Sequence, residues 1–245
     1  MIEKGNRVYF GLMVGFLIVS VLGCIQFQSL DLETCRMCLV NLNVVSLLIM
    51  APYRIRLAFD QEYMELVYPH VKKPWMFELP LFPCNTAEIL FGLAIYLKLR
   101  ILTSYCFFLG FVGPIMAFSD PPKGFEKGSL FDYKMFGFYI THYLTILNIP
   151  LLLASKIFIP GYKDIWMALG LYTIFSVLMY FFNRYMDTMD LGCPANYFFN
   201  MDPDYHPIFH KTYEFIPYRF WFTIPLILIV GIVLSCFVFI LRLFV

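Results

Sequence analysis

Residues 8–27 read VYFGLMVGFLIVSVLGCIQF, a run of twenty positions without one charged side chain, preceded by Lys4 and Arg7. About 20 apolar residues is the length a helix needs to cross the hydrocarbon core of a bilayer. Six further apolar stretches follow: Cys38–Tyr53, Leu81–Leu97, Ile101–Phe118, Met135–Ser155, Ile165–Phe182 and Phe220–Leu241. The expected fold is therefore all-α, a polytopic bundle of about seven transmembrane helices. The second stretch is short and ends at Pro52-Tyr53-Arg54, which predicts a span that continues into the interface or is shifted by several residues. The first has a basic flank, full spanning length and no small-residue cleavage site after it, and so reads as a signal anchor.

Composition agrees with this class. Hydrophobic residues make up 60% of the chain and charged residues 14%, and the mean hydropathy is +0.72, outside the range of soluble globular domains. Aromatic residues reach 20%, and Trp75, Trp166 and Trp221 all fall near predicted span ends, where interfacial belts form. A net charge of +1 gives no basis for nucleic-acid binding. Membrane lipids are the expected partners. No linker or repeat divides the chain, so residues 1–245 read as a single integral membrane domain.

Sidedness follows from Lys and Arg. Twelve lie on the side of the N-terminus and six on the other, which predicts a cytoplasmic N-terminus and a C-terminus across the membrane. The polar segments Arg54–Glu78, Ser119–Lys134 and Arg184–Tyr218 all fall on the N-terminal side. The membrane would be the plasma membrane in a bacterium and the endoplasmic reticulum in a eukaryote.

Reactive groups inside apolar spans are the lead to function, because polar side chains are costly in hydrocarbon. Cys84 opens the third span, His142 lies about two turns into the fifth, and both spans start on the same side. At 1.5 Å per residue their depths differ by only a few ångströms. A thiol and an imidazole brought together make a nucleophile and its base. Glu88 is one turn beyond Cys84 on the same helical face. Asn183 closes the sixth span at this same membrane face, and Asn196 follows in the last polar segment.

Each residue also has a plainer reading. Cys84 can be a small buried hydrophobe, and His142 an interhelical hydrogen-bonding group. Glu88 can hold helices in register, and Asn183 and Asn196 can tie a loop. Cys35-Arg36-Met37-Cys38 offers a competing chemistry, a C-x-x-C at the far face of the kind a thiol–quinone oxidoreductase carries. Such a relay needs a second exchanging pair, and Cys84 and Cys193 are expected on the opposite face. His206, His210 and Cys193 fit no strong zinc pattern. A non-enzymatic transporter or scaffold is the other alternative.

The order of several landmarks resembles the YwaF-like integral membrane proteins, which include the animal transmembrane protein 164 family. The landmarks are Leu79-Pro80-Leu81-Phe82-Pro83-Cys84, then Gly110-Phe111-Val112-Gly113-Pro114 with Asp120-Pro121. Phe131-Asp132-Tyr133, Thr141-His142 and Asn183 follow. Last come Ala195-Asn196-Tyr197-Phe198-Phe199 and Pro217-Tyr218-Arg219-Phe220-Trp221-Phe222. Bacterial relatives commonly carry a His where this chain has Phe82, and a Gly-Thr where it has Pro194-Ala195. The resemblance implies a catalytic core over residues 79–223 and a cysteine-dependent acyltransferase that loads acyl chains onto lysophospholipids. It puts the nucleophile on Cys84 and the base on His142.

The expected mechanism is acyl transfer through a thioester, with acyl-CoA or a phospholipid as donor and no resident cofactor or metal. Glu88 would hold the imidazole in one tautomer. Asn183 or Asn196, or backbone N–H groups near Pro83, would stabilise the oxyanion.

Overall fold

A computed structural model describes residues 1–203 and 207–243. Nine helices are found among them: α1 Arg7–Gln28, α2 Leu32–Phe59, α3 Gln61–Val67, α4 Pro83–Tyr96, α5 Arg100–Ser119, α6 Tyr133–Ala154, α7 Tyr162–Asp187, α8 Pro207–Phe215 and α9 Thr223–Leu241. Six of these (α1, α2, α5, α6, α7 and α9) are long and apolar enough to cross a membrane. Short polar residues start several of them. Asn6 accepts from Tyr9 N–H, Asp31 from Glu33 and Thr34 N–H, and Asp132 from Lys134 N–H, satisfying amides that a helix start leaves without partners.

The remaining predicted span, Leu81–Leu97, is a helix of 14 residues. It rises about 21 Å, short of the roughly 30 Å hydrocarbon core. Pro83 stands in its first turn, where the missing N–H costs nothing. The chain before it is irregular apart from a 3-10 turn at Pro74–Met76, and it is held by other parts of the protein. Tyr197 Oη donates to Met76 O (2.5 Å), Lys72 N–H to Leu191 O (2.9 Å), and the Phe82 ring packs against those of Tyr197 and Phe199. The second stretch, Cys38–Tyr53, lies inside a longer helix, since α2 begins at Leu32 and runs to Phe59.

Successive long helices and α4 run antiparallel. The chain ends lie at opposite ends of the bundle. Lys4 pairs with Asp120 after α5, whereas Arg242 lies against Gly161 before α7. We call these the near and far ends. The three polar segments gather at the near end. Strands β1 (Ile2–Glu3) and β2 (Lys127–Gly128) pair there, Lys72 bonds Asp190, and Arg219 faces Asp187. At the far end, buried Asp164 joins α7 to α5 by accepting from Arg100 and Ser104, and it also takes Gly161 N–H. Helix α6 is central, packed on α1, α2 and α5, while α9 lies outermost on α7.

Candidate functional site

Glycines on α5 set the register of the site. A Cβ on Gly113 would lie 2.8 Å from Cys84 Cβ, and one on Gly110 would lie 3.4 Å from Thr145 Cγ2 of α6. Gly110 and Gly113 share a face of α5, so α4 and α6 pack on the same strip. His142 is three residues from Thr145 toward the near end, as Gly113 is from Gly110. At 1.5 Å per residue those two offsets match, so Cys84 and His142 sit level.

One turn deeper, Glu88 is buried between three helices. Its carboxyl accepts from Ser46 Oγ of α2, and the Thr145 hydroxyl of α6 lies beside it. Asn43 of α2 completes this seam: its Nδ2 donates to Glu88 O (2.7 Å) and its Oδ1 accepts Gly92 N–H (2.9 Å). Only glycine permits that approach, since a Cβ at position 92 would stand 2.5 Å from the Asn43 oxygen.

The imidazole is buried and its Nδ1 lies 2.7 Å from Phe138 O. A carbonyl only accepts, so Nδ1 carries the proton, and whenever the ring is neutral its lone pair lies on Nε2. The tautomer is thus fixed by the preceding turn of α6, while the Glu88 carboxyl is bonded to Ser46. The Cys84 thiol, half-buried, donates to Asn85 Oδ1 (3.3 Å). No hydrogen bond joins the thiol to the imidazole.

Two groups the sequence reading passed over belong to this site. Asn85 is 3% exposed, and its Nδ2 is buried without a hydrogen-bond partner, an unspent donor next to the thiol. Arg54, which read only as the end of an apolar stretch, is bonded to buried Glu78 (2.6 Å), whose other oxygen accepts from Tyr63 Oη (3.0 Å). Its charge lies close enough to be felt at Cys84, Glu88 and His142. An arginine at the end of an apolar run was the available signal.

The other expected residues do different work. Asn183 donates through Nδ2 to Tyr197 O and Asn200 Oδ1 and accepts Tyr197 N–H, so both amide hydrogens are spent pinning the near-end cap to α7. Asn196 accepts Met201 and Asp202 N–H and donates to Asp202 O, closing its own loop. In both cases these bonds tie the near-end loops. Cys35 donates to Phe27 O (3.3 Å) at the far end, and Cys35 and Cys38 are unpaired thiols. His206 lies outside the described residues. Among those described, no group of three His, Cys, Asp or Glu gathers as metal ligands.

Compared with known proteins, residues 7–237 match the model of the TMEM164 family. No curated protein and no solved structure matches the chain.

Proposed function

The chain belongs to the TMEM164 family, and from that premise and the site geometry we propose that it is a membrane-embedded acyltransferase working through a Cys84 thioester. The carrying observation is a thiol and an imidazole at one level of the bundle, the imidazole with its lone pair fixed on Nε2. His142 takes the thiol proton as sulfur attacks the acyl carbonyl of an acyl-CoA or phospholipid. The tetrahedral centre collapses, the donor's thiolate or alkoxide leaves with that proton, and a thioester remains. A lysophospholipid hydroxyl then attacks, again losing its proton to His142, which returns it to the departing Cys84 sulfur. Asn85 Nδ2 is the proposed oxyanion donor, since it is the unspent amide beside the nucleophile. Productive contact of Cys84 with Nε2 requires a rearrangement on substrate binding, as catalytic hydrogen bonds often tighten only in the complex.

A second reading rests on the Asn43–Glu88–Ser46 seam, whose bonds suffice to explain buried polar groups as helix glue in a scaffold. One experiment separates the two. Cells expressing wild type, Cys84→Ala, His142→Ala or Asn85→Ala to equal membrane levels are profiled for phospholipid acyl composition and for a hydroxylamine-labile acyl group on Cys84. Acyl transfer predicts that Cys84→Ala removes the thioester and the lipid change, a loss of about a thousandfold or more in rate. His142→Ala should prevent thioester formation, and Asn85→Ala should slow it about a hundredfold. Identical lipid profiles for wild type and Cys84→Ala would leave the scaffold reading.

A further inference from the structure

An open groove of about 1040 Å³ runs between α7 and α9. Trp166, Gly170 and Thr173 line it from α7, and Gly231, Ser235 and Phe239 from α9. Both helices are long and apolar enough to cross a membrane, so the groove opens sideways onto hydrocarbon. Its aliphatic hydroxyls are turned back on their own helices. Thr173 Oγ1 donates to Leu169 O and Ser235 Oγ to Gly231 O, each one turn behind. These walls suit an alkyl chain, and a Cβ on Gly170 would meet nothing within 4 Å.

Charge marks one end. At the far-end mouth the Arg242 guanidinium sits 5.5 Å from the centroid of the Tyr162 ring, which itself lines the groove. Lys163 shares a helical face with Trp166 and Gly170. Among the described residues neither cation forms a salt bridge, and the neighbouring carboxylate, Asp164, is taken by Arg100. Two cations at the mouth of a groove can hold a phosphate by charge-assisted hydrogen bonds, and an apolar channel running inward from them admits the tail.

We infer that this groove binds an anionic phospholipid, one acyl chain lying between α7 and α9 and the headgroup phosphate resting on Arg242 and Lys163. The site is at the end of the bundle opposite Cys84 and does not depend on acyl transfer.

Trp166 reports on it directly. Phe substituted for Trp75 and Trp221 leaves Trp166 as the sole tryptophan, and the protein is placed in phosphatidylcholine vesicles. Chain-brominated phosphatidylglycerol should quench Trp166 at a mole fraction roughly tenfold below that needed with chain-brominated phosphatidylcholine. Lys163→Gln with Arg242→Gln should bring the two curves together, and Gly170→Leu, which fills the channel, should do the same. Native mass spectrometry of the chain with its tryptophans intact reads the same site: anionic lipid retained through delipidation should be lost with Lys163→Gln and Arg242→Gln. Equal quenching by the two lipids, or retained lipid unaffected by the charge changes, would overturn the proposal and leave an ordinary lipid-facing crevice.

Discussion

Helices α1 and α6 are neighbours that bury opposite kinds of sequence. Phe16 of α1 stacks on Tyr143 of α6, with centroids 3.9 Å apart, and Tyr143 Oη donates to Phe16 O. Yet α1, the more apolar, buries none of its best spanning window, whereas α6, with the lowest hydropathy of the six long helices, buries 67% of its own. In water the order would be reversed. Lipid accepts apolar side chains as readily as a protein interior does, so hydrophobicity does not decide which face turns inward. Groups that hydrocarbon refuses do: Thr141, His142, Thr145 and Asn148 are all buried.

The largest effect should come from breaking an inner charge pair. Glu78 is 3% exposed and holds Arg54 and Tyr63. Glu78→Ala leaves the mostly enclosed guanidinium without its counter-ion, at an expected cost of about 3 kcal/mol or more. Thermal unfolding in detergent measures it. An unchanged midpoint would mean that Arg54 reaches water or a lipid phosphate, and that this inner region is wetter than its burial suggests.

A matched truncation tests the contrast between the two helices themselves. Leu152 of α6 is fully buried and Leu17 of α1 is 63% exposed. Leu152→Ala should leave a cavity and cost about 2–5 kcal/mol. Leu17→Ala exchanges one lipid-facing alkyl group for another and should stay within about 0.5 kcal/mol. Equal losses would show that α1 packs against something beyond this chain.

This inside-out arrangement explains what the sequence could tell. Long apolar runs announce helices, so six spans were legible, but hydropathy averages over Leu81–Leu97 and hides that the helix itself begins at Pro83. The third predicted span therefore read as longer than α4 is. The equal level of Cys84 and His142 was legible from the parity of crossings. Their partners were not. The bond from Asn43 to Glu88 joins residues 45 apart in the chain, and nothing local in α2 says which helix will face it. Arg54 read as a span end because its counter-ion, Glu78, lies in a segment that looked like surface loop. The Nδ1 bond of His142 is different. It runs to a carbonyl four residues back, a local contact any helix offers, and a side chain searched only for distant partners conceals it.

The smallest effect belongs at the border between the two environments. Asp60, just past the end of α2, caps α3 by accepting Tyr63 N–H (2.9 Å), takes the Tyr133 hydroxyl from α6, and lies 3.9 Å from Lys134 Nζ. Partial burial pushes its carboxyl up, but the Tyr133 and Tyr63 hydrogen bonds, with Lys134 and Arg56 nearby, outweigh that and hold it below the ordinary carboxylate value. A depressed folded-state value means the contribution is complete above the unfolded pKa of about 3.9 and is lost as pH falls through the lower folded one. Asp60→Ala should therefore cost about 1 kcal/mol near neutrality, the usual worth of a helix cap. The gap between wild type and variant should hold steady from pH 7 to about 5 and narrow only in stronger acid. A gap that widened on acidification would mean that the folded protein raises the carboxyl above its unfolded value and favours the protonated form. The carbonyl oxygen of a neutral carboxyl could still accept from Tyr133, but the ion-pair attraction to Lys134 would be gone.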